Sequence, residues 1–327
     1  MQFAIVVIPD TQGLVNINYP VIRHEYLNAL VDWIIDNRVA LNIRAVLHVG
    51  DLVDTGVREE FETASNAFNR IKSANIPFIP CRGNHDPADL YNEYFGYETF
   101  CGFDLVGKYS PTDAVNHYVE LVIAGEQYLV VSVDYNPSDA VLAWVSDTIE
   151  AYPHHHIMIL THWYLGVDGV WESPGQRMWN LSLKAHPNVR FVFCGHRSAA
   201  IYCQKIDYND HGYPVFQTLQ NWQGGPLAPW ILHGGSGRAV LYTITPPTIP
   251  GGEYRVEARV YNPKDAQYEP EYDLSVTFDW PVFGAPPVGI PRFGISRYSQ
   301  IGTLQSAAGS VDIEGAVVDT ERAFSPA

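Results

Sequence analysis

Five apolar runs punctuate the chain: FAIVVIP from residue 3, IRAVLHV from 43, IPFIPC from 76, HIMIL from 156 and VRFVFC from 189. Each is of strand length and too continuous to leave one face in water, a pattern that predicts buried strands. Between them the period changes. Within 21–39, Ile22, Tyr26, Leu27, Leu30, Val31, Ile34 and Ile35 recur at helical spacing and predict a helix burying one face against a sheet. Further helices are predicted at about 58–73, 139–151 and 174–185. Segments 118–123 and 128–133, joined through 124–127, read as a hairpin. After about residue 200 strands dominate: 214–219, 238–244 and 254–261 predict a second sheet, with 246–252 as a turn.

The polar residues that interrupt this pattern fall where the predicted strands end. They are Asp10-Thr11-Gln12, Gly50-Asp51-Leu52-Val53-Asp54, Gly83-Asn84-His85-Asp86, Thr161-His162 and Gly195-His196. Ligands of open α/β sheets bind at that edge. Asp, Asn and His offer the oxygen and nitrogen donors that suit divalent iron, manganese or zinc, and a carboxylate such as Asp51 can bridge two ions. Two such ions can hold a phosphoryl group, generate hydroxide at neutral pH and stabilise the attacking and leaving oxygens, so no serine or cysteine nucleophile is needed.

These five motifs in this order resemble the calcineurin-like metallophosphoesterases, and most closely the branch whose first motif reads Pro-Asp-Thr-Gln, here Pro9 to Gln12. The stretches VLAWVSDTIEAYP, ILTHWYL, PVFQTLQNWQ and GRAVLYTI are similar to that branch in order and spacing, and the resemblance extends over roughly residues 2–280. One short motif is a weak signal, and five in order are a specific one. The resemblance implies an α/β fold, a two-sheet α/β/β/α sandwich of the metallophosphoesterase type, with a catalytic domain over 1–280. It also implies one metal held by Asp51, Asn84, His162 and His196, and another held by Asp10, Asp51 and the residues at 12 and 198.

At those last two positions the commonest pattern has histidine, whereas this chain has Gln12 and Ser198. Both changes fall on one ion. An amide oxygen and a hydroxyl make that shell oxygen-rich, which favours harder ions and lowers affinity. The expectation is one tight and one weaker, exchangeable divalent metal site, with Mn2+ the leading ion and Fe, Zn2+, Mg2+ or Ca2+ as alternatives.

The resemblance makes His85 the acid that protonates the leaving oxygen and Asp54 the carboxylate that orients it. Arg82 completes Arg-Gly-Asn-His, a run shared with serine/threonine protein phosphatases in which the arginine clamps phosphate oxygens. Arg197, beside His196, is a second candidate that an exposed loop position explains equally well. Trp163, Tyr164, Asn221, Trp222 and Gln223 are expected to build the pocket rim, either as packing or as a stacking surface for a base or sugar. His48 is expected to pack in the sheet. The tract His154-His155-His156 reads as a surface turn, and His233 as a residue of a glycine-rich loop that could line the cleft.

Composition narrows the partners. A chain of 327 residues with 46% hydrophobic and 17% charged residues has the material for a substantial core. The net charge of −16 repels polyanions, so duplex nucleic acid is disfavoured and a small phosphate ester fits better. No run approaches the ~20 apolar residues of a membrane span. Cys81, Cys101, Cys194 and Cys203 do not make a disulfide framework, although a Cys194–Cys203 bridge is conceivable. With strand-forming residues starting almost at Met1, the sequence fits a cytoplasmic protein or a secreted one whose leader was removed. Residues 281–327, rich in Pro, Gly, Ser and Ala, read as a C-terminal arm or tail that wraps the domain or joins a second copy in a homo-oligomer.

The sequence therefore favours metal-dependent hydrolysis of a small phosphodiester, cyclic nucleotides included. A phosphomonoesterase or protein phosphatase is the alternative. A non-catalytic ligand-binding domain with a degenerate metal site is the second.

Overall fold

Alternation along β1 (Phe3–Ile8) divides its side chains between two cores: Phe3, Ile5 and Val7 enter one, and Ala4, Val6 and Ile8 the other. The strand is buried on both faces because a second sheet covers one and helices cover the other. The computed structural model describes residues 1–18, 22–96, 106–197, 201–223, 235–249 and 252–281.

One sheet has the order β13-β12-β11-β1-β2-β3, with β2 Ile43–His48, β3 Phe78–Pro80, β11 Ala239–Thr245, β12 Tyr254–Asn262 and β13 Gln267–Phe278. The parallel set β1-β2-β3 is linked by helices α2 (Ile22–Asn37) and α3 (Arg58–Ser73), the crossovers that parallel neighbours require. A short helix α1 (Gln12–Val15) and α4 (Ala88–Phe95) complete this outer layer. The other sheet has the order β4-β5-β6-β7-β8-β10-β9, from β4 Val106–Lys108, β5 His117–Ile123, β6 Glu126–Ser132, β7 His156–Leu160, β8 Val189–Cys194, β9 Ile201–Tyr208 and β10 Pro214–Asn221. Its outer face is covered by α5 (Asp139–Ala151) and by α6 (Ser173–Met178), which continues as a π-helical turn over Trp179–Leu183. The architecture is the expected α/β/β/α sandwich.

The late strands are distributed differently from the expectation of one second sheet. β10 pairs with β8 and β9 in the seven-stranded sheet, whereas β11 runs antiparallel to β1 and carries β12 and β13 outward from it. Local pattern gives each strand's existence but not its partner. The β5–β6 hairpin is tighter than expected, because Ala124 and Gly125, both at positive φ, turn the chain in two residues.

The histidine tract is a turn only at its start. His155 and His156 are buried, His155 Nε2 lying 2.8 Å from a Glu120 oxygen and His156 Nε2 3.4 Å from one of Glu126. Cys194 and Cys203 are free thiols, so no bridge joins them. Among the described residues no helix is long and apolar enough to cross a membrane. Cys101, Ser198, His233 and residues from 282 onward, which include nearly all of the expected C-terminal arm, lie outside the described residues.

Phe68 of α3 stacks on Phe78 of β3 with ring centroids 4.6 Å apart, which locks the helix over the strand leading to Asn84 and His85. Phe68→Ala is expected to destabilise the fold by about 3–5 kcal/mol, read as a lowered denaturant midpoint with an unchanged slope.

Candidate metal centre

The motif loops meet where the parallel strands of both sheets end. His162 follows β7 and is fully buried, with Nδ1 2.8 Å from the carbonyl oxygen of Val49 at the end of β2. A carbonyl only accepts, so Nδ1 carries a proton and Nε2 is the ring atom aimed into the site, free to take a metal once its own proton is displaced. Nε2 lies 3.0 Å from Asp51 Oδ2 and 3.2 Å from Asn84 Oδ1. His196, after β8, completes a group in which donor atoms of Asp51, His162 and His196 all lie within 4.8 Å of one another. Four residues from four loops thus present converging donors.

Backbone geometry explains why those loops are built as they are. Asp51 and His196 both occupy the left-handed region, with φ of 52° and 74°, a conformation that costs roughly 1–2 kcal/mol outside glycine and is tolerated where the side chain must be aimed. Gly83 is required for a different reason. A Cβ there would lie 2.1 Å from Asp51 Oδ1, so only glycine lets the Asn84 loop close over that carboxylate. The same oxygen accepts the His85 amide at 3.0 Å, and the Asp51 carbonyl accepts the amides of Thr11 and Gln12.

The charge balance of this group calls for a cation. Burial, opposed by His162 and reinforced by Asp51, pushes the Asp10 carboxyl up to about 7. Burial alone would lower His162, but Asp51 and Asp10 outweigh it and raise it to about 9. Burial would likewise raise Asp51, and the His162 charge holds it below the usual carboxylate range. Two buried carboxylates sharing one imidazolium are the surroundings in which a divalent ion replaces a proton. Gln12 adds an observation of its own. Its Nε2 donates to Asp54 Oδ1 at 3.2 Å, while its Oε1 is buried and accepts no hydrogen bond among the described residues, an unpaired oxygen of the type hard ions bind. The residues present fit a metal.

Asp10 is reached from three sides. The His196 amide approaches both its oxygens at 3.2–3.3 Å, Asn221 Nδ2 donates to Oδ2 at 2.6 Å, and Gln223 Nε2 donates to its carbonyl. Asn221 and Gln223, expected at the rim, instead hold a metal-ligand candidate from behind. Of the packing and stacking alternatives, Trp222 and Tyr164 take packing: both are buried, the first against Tyr202 and Tyr272 and the second bonded through its hydroxyl to Gln217. Trp163 does stand beside the site, its ring 4.9 Å from that of His196.

The two expected substrate-contacting groups are placed differently from the expectation. His85 Nδ1 bonds the Asp54 backbone carbonyl at 2.7 Å, and the Asp54 carboxylate is 3.6 Å away because Asn16 and Gln12 occupy its oxygens. Asp54 therefore orients the imidazole mainly through its main chain. Burial works to lower His85, but the Asp51 carboxylate and the Asp54 carbonyl outweigh it and raise its pKa. Arg82, expected as an open phosphate clamp, is a closed one: Nε and Nη2 grip the two carboxylate oxygens of Asp134 at 3.1 and 2.7 Å. A fork that matches phosphate also matches carboxylate, and here Asp134 fills it.

Two residues support the site in roles that the sequence does not assign them. Asp86, the fourth residue of Gly-Asn-His-Asp, accepts the amides of Leu52, Val53 and Gly83, tying the second and third motifs together. His48 does pack in the sheet, yet it also accepts the Gly50 amide on Nδ1 and meets Thr11 Oγ1 through Nε2, joining the first and second motifs. The signal for Asp86 was present as an acidic residue within a motif. That for His48 was not, because its partners lie 37 positions apart from it or in a turn.

A family model described as calcineurin-like phosphoesterase matches residues 3–197. The uncharacterized protein YvnB of Bacillus subtilis (strain 168) is 29% identical over 218 residues, which are 63% of this chain and only 16% of that longer protein. Among solved structures, purple acid phosphatase PPD1 from yellow lupin superposes with a TM-score of 0.52 at 12% identity, over 89% of this chain and 57% of that one. GAP50, the anchor in the inner membrane complex of Plasmodium, gives 0.50 at 9% identity over 95% and 96% of the two chains. Likeness at such identities concerns the fold.

Asn221→Ala removes the donor that positions Asp10 without touching a ligand atom. It is expected to weaken metal affinity about 10–100-fold, measured by chelator competition. Unchanged affinity would remove Asp10 from the metal shell.

Proposed function

Because the chain belongs to the calcineurin-like phosphoesterases, we propose that it is a metal-dependent hydrolase of small phosphodiesters, nucleotide diesters included. The observation that carries this reading is the convergence of Asp51, His162 and His196 donor atoms within 4.8 Å, with His85 held at the same edge by the Asp51 carboxylate and the Asp54 carbonyl. When bound there, divalent metal would supply positive charge for the phosphoryl oxygens and for an attacking water.

Asp51, Asn84, His162 and His196 form the tighter site in this proposal, and Asp10, Gln12 and Asp51, with Ser198 as the remaining expected ligand, the weaker one. Manganese is the ion favoured by that oxygen-rich second set. The buried Gln12 oxygen supports the assignment. His85 is the group that gives a proton to the leaving oxygen. With Nδ1 committed to a carbonyl and the side chain 37% exposed, its Nε2 edge is the one a substrate can reach. The catalytic domain is assigned to residues 1–280, and the activity of any longer protein containing it would include parts outside this chain.

A diester bears one charge and a monoester close to two, and the arginine expected to match the second charge is filled by Asp134. That favours diesters.

Hydrolysis of an aryl phosphodiester and its monoester counterpart should depend on added Mn2+ after chelation, run faster on the diester, and vanish in Asn84→Ala. Monoester preference would replace the diesterase reading with a phosphatase, and no hydrolysis of either would replace it with a ligand-binding one. His85→Ala, with its metals retained, should lose about 10²–10⁴-fold on esters of poor leaving groups and far less on activated aryl esters. Equal losses on both would take His85 out of the acid role.

A further inference from the structure

The motif loops supply two arginines to this edge, Arg82 before Gly83 and Arg197 after His196, and each is bound to a carboxylate that is itself fixed. Asp134, which follows β6, takes both oxygens to Arg82, whose guanidinium lies 4.9 Å from the Tyr135 ring centre. Its amide donates to Asn116 Oδ1 at 2.8 Å, and its carbonyl accepts Thr161 Oγ1, the residue before His162, at 3.3 Å. Glu172 accepts Arg197 Nε at 2.7 Å on one oxygen and Trp163 Nε1 on the other, so the Arg197 guanidinium is held 5.5 Å from the indole that packs on His196.

We propose that Asp134 and Glu172 are specificity-determining residues, neutralising the two arginines so that the site selects phosphate esters bearing one negative charge over those bearing two. The inference deepens the phosphoesterase reading and rests on it. Around Asp10, Asp51, Asp54 and Asp86, and in a chain of net charge −16, a second substrate charge meets no uncommitted arginine from these loops. Affinity for the monoanion is left to the metals, whereas the dianion meets two built-in carboxylates, Asp134 filling the Arg82 fork and Glu172 holding Arg197 through Nε. Specificity gained by penalising the competitor needs no extra contact to the preferred substrate. The Arg82–Asp134 pair also joins the end of β3 to the end of β6, where Ser132 Oγ donates to the Pro80 carbonyl, so the same pair braces the two sheets.

Asp134→Asn releases Arg82 while keeping the shape of its partner. The metal-loaded variant should raise the ratio of kcat/KM for a phosphate monoester over the methyl diester of the same alcohol by about tenfold relative to the unmodified protein. Calorimetry should show inorganic phosphate at pH 8 gaining affinity while dimethyl phosphate does not, a readout that requires no turnover. Adding Arg82→Met should abolish the gain. Glu172→Gln should move the ratio the same way by less, because Arg197 is more exposed and better screened; it carries the test if Asp134→Asn melts early. A ratio and a phosphate affinity that stay put in a folded variant overturn the inference, as does a gain that survives Arg82→Met. The preference of the unmodified protein tests the diester reading separately, since a protein that favours monoesters could still show the shift.

Discussion

One buried carboxylate organises the functional edge of this protein. Asp51 reaches His162 with one oxygen and the His85 amide with the other, and its carbonyl holds the amides of Thr11 and Gln12. Four of the five motifs are thereby referred to a single residue. The arrangement needs a left-handed backbone at Asp51 and the missing Cβ at Gly83, two local costs that the surrounding hydrogen bonds must outweigh. A charge so deeply buried is tolerable only with a positive partner, which is the physical reason that the fold and the metal site depend on each other.

Supports of the site come from both sheets of the sandwich. His48 and Asp86 tie loops of one sheet together, Asn221 and Gln223 at the end of β10 in the other sheet hold Asp10, and the Arg82–Asp134 pair crosses between the two. His48, Asp86, Asn221 and Gln223 are buried and the Arg82–Asp134 pair is mostly so, and each sits in a hydrogen-bonded network whose loss would leave a buried polar group unpaired. Rigid placement of donors on strand ends gives an aligned site without demanding long ordered loops.

Electrostatics here work by subtraction. An acidic chain places Arg82 and Arg197 beside motif residues and pairs each with a carboxylate of its own, Asp134 and Glu172, which on the proposed reading leaves a bound metal as the main attraction for an anion. On the proposed reading, such a site suits ligands that carry little charge beyond what a bound metal would offset, and the net charge of −16 disfavours polyanions.

The division between what was readable along the chain and what was not follows from the range of each interaction. The strand runs before each motif, the helices at 58–73 and 139–151 and the donors at Asp10, Asp51, Asn84, His162 and His196 are local, since period, composition and position after a strand are written within a few residues of one another. Strand pairing is not local: β10, β11 and β12 have similar sequences in character, yet β10 joins β8 while β11 joins β1 some 235 residues away in the chain, because only three-dimensional packing decides which edge is free. The same limit applied to side chains. The sequence determined that Arg82 stands beside a motif, that Asp54 lies within one and that Asn221 follows a predicted strand, and the tertiary structure decided that Asp134 fills the arginine, that Asp54 acts through its carbonyl, and that Asn221 faces Asp10, since these hydrogen-bond partners, 31 to 211 positions apart, meet only when the chain folds.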